Sequence, residues 1–414
     1  TGLSPESIVS FARLYGTSPR SYLRVGFGFT RQRNGAAAMH AASCLPAVTG
    51  AWSHLGGGAL FSNGGLYGLE RNLLHATDVE LPPARTLDMA RIGQILAGNP
   101  RDLGDGPPVT AMLVQSTNPA VVTPESALVL QGFSREDLFL CVHEQFLTDT
   151  ARYADIVLPA TTFLEHDDLY QASGHTYLQA ARALIPPQGE ARSNHWVMSQ
   201  LANRLGIRHR AFDLGEWELA DVILTSSGKP GADEVLARGW VDCAPPFATA
   251  HFLDGFPQPE KRFRFAPDWA SVGADSKVMP PLPDHLEVID QPTPDKPFRL
   301  VAAPARNFLN TTFSETPSSR KAEERPTLLV HPSVCEDLGI AAGDLVRIGN
   351  EQASLLIHAR PFAGMQAGTL VVESLWPNSA FVEGLGINAL VSAEPGVPAA
   401  GAAYHDTAVW LRRS

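Results

Sequence analysis

The chain has 414 residues, of which 44% are hydrophobic and 18% charged, and its formal net charge is −11. This composition is typical of a globular protein with two or three domains, at about 150 residues per domain. The acidic charge excludes the electrostatic surface of a general nucleic-acid binder, although backbone amides could still bind a phosphate. No apolar run approaches the roughly 18 residues that a membrane-spanning helix needs, so we expect no membrane segment.

The first predicted element is a helix that begins almost at the first residue. Ser4 is a good N-cap, Pro5 suits the first helical position, and Ile8, Phe11 and Tyr15 follow at helical spacing. The sequence starts without a methionine or a signal peptide. We therefore expect a fragment of a longer protein. An export signal would then lie outside the sequence, which leaves the compartment unknown, with a cytoplasmic location preferred over a periplasmic one.

Three short apolar runs predict a parallel β-sheet within residues 1–211. They are Met112–Gln115, Leu138–Val142 and Ala154–Pro159, and helix-length segments separate them. Strands that are apolar on both faces are typical of a parallel sheet that is covered on both sides. A further helix is predicted from Ser193 to Leu205.

Ligands of such sheets bind beyond the carboxyl ends of the strands. The segments at those ends are Thr117–Pro119, His143–Glu144 and Thr161–Asp168. They are polar and rich in hydrogen-bond acceptors, as a nucleotide site requires. Solvated turns have the same composition, so the residues alone leave both interpretations open.

The second half of the chain changes character twice. Residues 212–296 contain many prolines and little periodicity, which predicts a crossing segment without a core of its own. Short apolar or alternating runs with turn signals between them predict a small closed β-barrel within residues 297–414. The runs are Phe298–Ala302, Thr327–His331, Leu345–Ile348, Ala353–His358, Thr369–Glu373 and Val409–Leu411.

Two features that could suggest a ligand are interpreted as structural. Cys44, Cys141, Cys243 and Cys335 lie far apart, so no Cys-x-x-Cys pair exists for zinc or an iron–sulfur cluster, and each is interpreted as a small buried hydrophobe. The Gly56–Gly58 run lacks the Lys-Ser/Thr of a phosphate loop. It is interpreted as a flexible connector.

One long stretch carries the most information. It starts at His143-Glu144, passes through Ala154-Asp155-Ile156-Val157-Leu158-Pro159 and Glu165, and ends at Gly189-Glu190-Ala191-Arg192-Ser193-Asn194. This ordered phrase resembles the molybdopterin oxidoreductases of the dimethyl sulfoxide reductase superfamily, which includes formate dehydrogenases and nitrate reductases. The resemblance extends over nearly the whole chain. It implies an α/β nucleotide-binding domain followed by a C-terminal, double-psi-type β-barrel that closes over the dinucleotide of a cofactor.

The cofactor that the resemblance implies is molybdopterin guanine dinucleotide, in its bis form, holding molybdenum or tungsten. In this family the metal-ligating side chain and the iron–sulfur cysteines lie upstream of the region that resembles Thr1 onward. The chain is thus similar to the C-terminal part of a catalytic subunit, with no catalytic residue or metal ligand of its own. We expect it to be inactive alone. The full-length enzyme would transfer oxygen atoms or hydrogen to or from a small molecule, with a [4Fe–4S] cluster and an electron-transfer partner possible.

The resemblance also implies which side chains contact the dinucleotide. Carboxylates suit a ribose diol and guanine N–H groups, amides match donors and acceptors, and arginine suits pyrophosphate. The implied contact residues are Asn118, His143, Glu144, His166, Asn194, Arg306, Asn310, Thr311, Thr312, Asn388 and His405. Phe27 and Arg31 fall in the stretch that the family uses near the pterin and the substrate. From the residues alone, the histidines also fit helix ends, Glu144 a solvated turn and Arg31 a helix anchor.

Two other functions remain open. A non-catalytic dinucleotide-binding or assembly module could keep the same folds after losing redox chemistry. A non-redox hydratase could use the same scaffold. The sequence upstream of Thr1 would separate the module from the enzyme, whereas the substrate cannot be read from these residues.

Overall fold

A computed structural model describes residues 2–80 and 82–414 as an α/β part followed by a barrel. Strands β1 to β14 are Tyr22–Arg24, Gly58–Leu60, Ala111–Gln115, Phe139–Glu144, Ile156–Pro159, Asp168–Tyr170, Tyr177–Ala181, Val241–Asp242, Phe298–Ala303, Thr327–Val330, Leu345–Gly349, Ser354–Pro361, Thr369–Glu373 and Thr407–Arg413. Helices α1 to α14 are Pro5–Thr17, Gly35–Thr49, Asn72–His75, Ile92–Leu96, Pro100–Leu103, Pro119–Val122, Ser126–Phe133, Asn194–Arg204, Arg210–Asp213, Glu216–Ser226, Ala232–Arg238, Phe247–Ala250, Pro317–Glu323 and Pro332–Leu338. Within these described ranges, no helix combines the length and the apolar character needed to cross a membrane.

The predicted parallel sheet is confirmed as β3–β4–β5, in that order. On β4, Leu140 and Val142 are buried in a core shared with α4 and α7. Phe139, which lies on the opposite face of β4, is 48% exposed, and Ile156 on β5 is 45% exposed. That second face borders an open cavity of about 800 Å³ beside α8. The expectation that both faces are covered is therefore wrong for the described part of the chain.

The predicted barrel is also confirmed, with all of its strands. It closes in the order β10–β12–β11–β14–β9–β13. The pairs β10–β12 and β9–β13 are parallel, and the other pairs are antiparallel. Alternate residues point inward, as the period of two requires, and Leu328, Ile348, Leu355, Ile357 and Leu370 fill the interior. The barrel therefore has its own hydrophobic core.

The prediction of a coreless crossing segment is wrong for its first part. Helices α10 and α11 pack on the antiparallel sheet β6–β7–β8. Leu224, Ala232 and Val235 are fully buried there against Leu178 and Tyr67. The periodicity of a short helix such as α10 is difficult to recognise in the sequence when loops flank it on both sides. Farther along, residues 244–296 cross the molecule and are held against it by contacts between aromatic rings, such as that of Trp52 with Phe252.

The first helix begins as predicted. The Ser4 hydroxyl accepts the Ser7 N–H at 3.2 Å, and Pro5 occupies the first turn of α1. Of this helix, however, only Tyr15 is buried, and Ile8 and Phe11 are exposed. Its helical spacing thus predicted the element but not its packing within the described chain.

The glycine run is not a flexible connector. Gly58 opens β2, which pairs with β1 in parallel. A Cβ added at Gly57 would collide with the Ala51 carbonyl oxygen, and one at Gly58 would collide with the Trp52 ring. Glycine is required here because backbone and ring approach closely.

The α/β part and the barrel meet at α6, the single-turn helix that follows β3. Its last carbonyls cannot bond within so short a helix. Asn378 and Asn388 donate from Nδ2 to the carbonyls of Ala120 and Val121 at 3.1 and 2.9 Å. The Tyr404 hydroxyl donates to the carbonyl of the last helical residue at 2.8 Å. Barrel side chains therefore cap the helix.

Replacing Asn378→Ala should lower the free energy of unfolding by about 2–4 kcal/mol, since each buried backbone group left unpaired costs about 1–3 kcal/mol. The groups concerned are the Ala120 carbonyl and the Gly386 N–H, which bonds to Asn378 Oδ1 at 2.9 Å. Urea denaturation measures the loss. The matched control is Asn203→Ala on the exposed side of α8, which should change stability by less than about 0.5 kcal/mol. Equal effects of the two changes would contradict the capping role.

Candidate functional site

A groove runs between the carboxyl edge of the parallel sheet and a loop of the barrel. It consists of two adjoining cavities, of about 490 and 360 Å³. Both are lined by Ser116–Asn118, which follow β3, and by Thr311–Thr312 from the barrel. The larger cavity is called the acidic end below, and the smaller one the Arg31 end. The position agrees with the prediction that ligands bind beyond the strand ends.

Three residues along the groove have left-handed backbones without being glycine. Their φ angles are 54° at Ser116, 53° at Asn310 and 70° at Phe313. Such conformations cost of order 1–3 kcal/mol each and persist where the surroundings impose them. The groove thus has a defined backbone shape on both of its sides.

The acidic end is lined by several carboxylates, namely those of Glu144, Asp167, Asp168, Glu216 and Glu315. Asp167 pairs with Arg182 at 3.0 Å, and Asp168 lies 3.7 Å from the His166 ring. Glu216 is hydrogen-bonded to the Ser193 hydroxyl. This end suits ligand groups that donate hydrogen bonds, such as hydroxyl and ring N–H groups.

Glu144 differs from the other carboxylates at this end. Its Oε1 accepts the Gln145 N–H at 2.7 Å, and it forms no ion pair with the residues that the structure describes. Burial raises the pKa of Glu144 above the ordinary value of 4.5. Its position at the end of the second strand of a parallel sheet is where dinucleotide folds place the acid that binds ribose hydroxyls.

The opposite end presents one arginine and several neutral polar groups. The Arg31 guanidinium lies 5.8 Å from the centre of the Tyr404 ring and has no hydrogen bond or ion pair to described residues. Asn310, Thr311 and Thr312 line the same cavity. Asn388 Oδ1, also at this cavity, is buried and has no hydrogen-bond partner among the described residues. An unpaired cation beside neutral donors is suited to an anion such as pyrophosphate.

The structure brings most of the predicted contact residues together. Those that line the groove are Asn118, Glu144, His166, Asn194, Asn310, Thr311, Thr312 and Asn388. Arg31, which was predicted near the pterin and the substrate, lines it as well. Some are anchored by the protein itself: Asn118 Oδ1 accepts from the Thr150 hydroxyl at 2.7 Å, and Asn194 Nδ2 donates to the Ser116 hydroxyl at 3.2 Å. Their contact with a ligand stays a prediction.

His143 lies beneath the groove and not on its surface. It is 0% exposed. Its Nδ1 accepts from the Gln115 side-chain amide at 2.9 Å, and its Nε2 donates to the Arg192 carbonyl at 3.0 Å. Both ring nitrogens are thus used within the protein. The geometry supports a role in joining β3, β4 and the segment before α8, which the sequence could not distinguish from a ligand contact.

Arg306, His405 and Phe27 are not among the groove-lining residues either. Arg306 is exposed beside the barrel loop. His405 is partly buried, its Nε2 lies 3.4 Å from the Ala302 carbonyl, and burial lowers its pKa, so the ring is neutral near pH 7. Phe27 is 70% exposed and packs edge-on against Phe61.

Sequence reasoning missed several groove residues. Ser116 directly follows β3, and this position was its signal. Thr117 and Asp167 belong to the segments Thr117–Pro119 and Thr161–Asp168, which the sequence placed at the strand ends without assigning a contact to either residue. Glu216 had no signal at all, because it reaches the groove from the start of α10. The described residues contain no cluster of three or more His, Cys, Asp or Glu side chains that could hold a metal ion.

Glu165 fixes the loop that carries His166. Its carboxylate accepts the N–H groups of Thr162 and Gln188, both at 2.6 Å, and the Thr162 hydroxyl at 2.9 Å. These hydrogen bonds hold the pKa of Glu165 below 4.5. The loop is further closed by Thr161, whose hydroxyl lies 2.9 Å from His166 Nδ1. One buried carboxylate thus shapes one side of the acidic end.

Comparisons with known proteins agree with this geometry. A family model described as molybdopterin oxidoreductase matches residues 18–204, and one described as molydopterin dinucleotide binding domain matches residues 298–408. The chain is 33% identical over 382 residues to "Probable oxidoreductase YoaE" of Bacillus subtilis, covering 91% of this chain and 54% of that protein. It is 24% identical to the trimethylamine-N-oxide reductase of Haemophilus influenzae, over 91% of this chain and 51% of the relative.

Among solved structures, acetylene hydratase from Pelobacter acetylenicus superposes on the whole chain. The TM-score is 0.73 at 17% identity, and the match covers 100% of this chain and 64% of that one. This likeness shows the fold. The chain spans about half the length of the two curated relatives named above.

Replacing Glu165→Gln should lower the melting temperature near neutral pH. A carboxyl group whose folded pKa is depressed stabilises the fold above its unfolded pKa, and this contribution is lost as the pH falls through the folded pKa. The difference between the variant and the unchanged protein should therefore shrink below pH 4.5. Thermal denaturation followed across this range by circular dichroism tests it, with Glu190→Gln at an exposed position as the control. A difference that stays constant with pH would rule out the charge as its cause.

Proposed function

The chain belongs to the molybdopterin oxidoreductases, and we propose that it is the part of a catalytic subunit that holds the guanine dinucleotide of the cofactor. The observation that carries this proposal is the polarity of the groove, with carboxylates at one end and the unpaired Arg31 at the other. When bound, the cofactor supplies oxygen-atom or hydrogen transfer at molybdenum or tungsten. The residues of this chain bind and orient it.

The groove residues fit the nucleotide part of this cofactor. Asn388 Oδ1 is a buried acceptor to which no residue of the described chain donates, and a ligand donor would satisfy it. Arg31 is a cation without a counter-ion among the described side chains. Thr311 and Thr312 border both cavities and so would meet the ligand midway. The pyrophosphate would bind at the Arg31 end, because anions are disfavoured beside the carboxylates of the other end.

The nucleoside would then occupy the acidic end. Glu144 is the last residue of β4 and would accept the ribose hydroxyls, since a carboxylate can accept from both hydroxyls of a diol. A guanine base would lie beyond the ribose, where its N–H donors meet further carboxylates and Asn194. The phosphate, the ribose and the base would thus be bound in that order along the groove.

The proposed whole-protein activity goes beyond this chain. We infer that the full-length protein reduces or oxidises a small molecule and exchanges electrons with a partner, and that this chain alone is inactive. The named relatives, an oxidoreductase and a trimethylamine-N-oxide reductase, support that class. A second candidate, a hydratase, is favoured by the superposition on acetylene hydratase. Dye-linked reduction and acetylene hydration assays on the full-length protein separate the two.

Isothermal titration of this chain with GDP should show binding at least about tenfold tighter than that of CDP, a difference of about 1.4 kcal/mol. Binding should weaken as the pH falls through the raised pKa of Glu144, because the hydroxyl groups of the ribose require an ionised acceptor. Glu144→Gln should lower the affinity about tenfold and remove this pH dependence. Glu190→Gln is again the control. No GDP binding by the unchanged chain would overturn the proposal.

Metal and nucleotide analysis of the full-length protein tests the cofactor itself. Expressed under conditions that load a known molybdoenzyme, it should contain molybdenum or tungsten and release GMP on acid hydrolysis. The 414-residue chain, prepared in parallel, should contain no metal. A full-length protein without metal or guanine nucleotide would favour a non-catalytic binding module instead.

A further inference from the structure

Lys229 and Cys243 bring an ammonium group and a thiol into contact away from the groove. The Lys229 Nζ donates to the Cys243 Sγ at 3.5 Å, and the two residues are 14 positions apart in the chain. Lys229 lies between α10 and α11, whereas Cys243 directly follows β8. Neither residue is among those that line the groove. The pair therefore connects the turn between two helices with the end of a strand.

Backbone hydrogen bonds hold both residues in place. The Lys229 N–H donates to the carbonyl of Leu224 at 2.9 Å, and Leu224 is itself fully buried. The Cys243 N–H donates to the Thr176 carbonyl at 2.9 Å. The nitrogen and the sulfur therefore meet without a rearrangement of the main chain. Such an arrangement favours a reaction between the two groups over a reaction of either one with a molecule in solution.

Lys229 differs from the other half-buried lysine of the chain in its partner. Lys296 pairs with Asp290 at 3.0 Å and with Glu351 at 2.7 Å. Lys229 forms no ion pair with any residue that the structure describes, and its ammonium donates to the sulfur, which is a weak acceptor. No carboxylate of the described chain therefore competes with the sulfur for this nitrogen.

Cys243 differs in a similar way from the other cysteines. Burial raises the pKa of the thiols of Cys44, Cys141 and Cys335 above the ordinary value of 9.0, which makes them less reactive. Cys243 is half-buried, and in the described part of the chain it is the cysteine that a lysine contacts. Reactive cysteines lie in partly exposed, electropositive surroundings. The surroundings of Cys243 are of this kind.

We propose that hydrogen peroxide oxidises Cys243 and that Lys229 then captures the oxidised sulfur in a reversible sulfur–nitrogen bond. The pair is thus a modification site, and the bond links the turn between α10 and α11 to the end of β8. The inference does not depend on the proposed nucleotide function.

The reaction has two steps. The Cys243 sulfur attacks the peroxide, so that an S–O bond forms, the O–O bond breaks, and the thiol becomes a sulfenic acid with release of water. The Lys229 ammonium then loses a proton to solvent, and the amine attacks the sulfur. An N–S bond forms, the S–O bond breaks, and the hydroxyl leaves as a second water. Sulfur loses two electrons and the peroxide gains them, and two thiols such as those of dithiothreitol return them and break the link.

The first test treats the 414-residue chain with an equimolar amount of hydrogen peroxide, blocks the remaining thiols with iodoacetamide and digests the protein with trypsin. Trypsin cleaves after Arg238 but not before Pro230, so the two residues fall in separate peptides, 211–238 and 239–261. Mass spectrometry should find these peptides joined, at two hydrogen atoms below their summed mass, and dithiothreitol should separate them. Unlinked peptides, or a joined pair with an additional oxygen atom, would overturn the proposal.

The variant Lys229→Arg tests whether the lysine nitrogen forms the bond. Arginine keeps the positive charge, but its guanidinium stays protonated and cannot attack the sulfur. The variant should form no link, and Cys243 should stop at the sulfenic acid, so that its labelling by dimedone rises several-fold. Lys321→Arg, the same substitution at an exposed position of α13, should form the link as the unchanged chain does. A link that persists in Lys229→Arg would contradict the role of this lysine.

The second test measures the effect of the link on the fold. A link between residues 14 positions apart restricts the unfolded chain, so the oxidised protein should melt about 5 °C above the reduced one. Lys229→Arg, treated with peroxide in the same way, should show no such rise, which controls for oxidation of other residues. Dithiothreitol should return the melting temperature of the linked protein to its starting value. An unchanged melting temperature in the linked protein would show that the bond does not hold α10 and α11 to the strand.

Discussion

The carbonyl groups at the end of α6 are the constraint on which the groove depends. A one-turn helix cannot bond its own last carbonyls, and burial makes each unpaired carbonyl costly. Asn378, Asn388 and Tyr404 of the barrel satisfy them. Because α6 also starts at Asn118, these hydrogen bonds fix the distance between the sheet edge and the barrel. The groove between them exists only while the barrel caps this helix.

The contacts around Glu125 add to the interface between the α/β part and the barrel. Its backbone N–H donates to the Val391 carbonyl at 2.9 Å, and its carboxylate accepts the Ala393 N–H at 3.0 Å. Arg91 donates to the Ala393 carbonyl at 2.8 Å while its guanidinium pairs with buried Asp102. Both parts of the chain therefore contribute charges and backbone groups to one interface. Its hydrogen bonds are directional, so they specify an orientation that apolar packing alone would leave loose.

The sequence predicted the strands and helices more accurately than it predicted which residues pack against them. The strands of the barrel and of the sheet followed from apolar runs because their side chains alternate into a core within a few residues. The cover of the sheet and the packing of α10 depend on residues distant in the chain. The same holds for the site. The family resemblance identified Asn118, Glu144 and Asn388, whereas Glu216 reaches the groove from a helix that packs in a separate layer, which no local pattern records.

The groove also explains why one scaffold can accompany different reactions. The residues that line it are suited to a base, a ribose and a pyrophosphate, and these parts of a dinucleotide are the same whatever its metal does. Two of the proteins that resemble this chain are named as reductases, while a solved structure with the same fold is named as a hydratase. Under the proposed function, the groove is constrained by its fit to the nucleotide, whereas the chemistry that the cofactor serves is left to other parts of the enzyme.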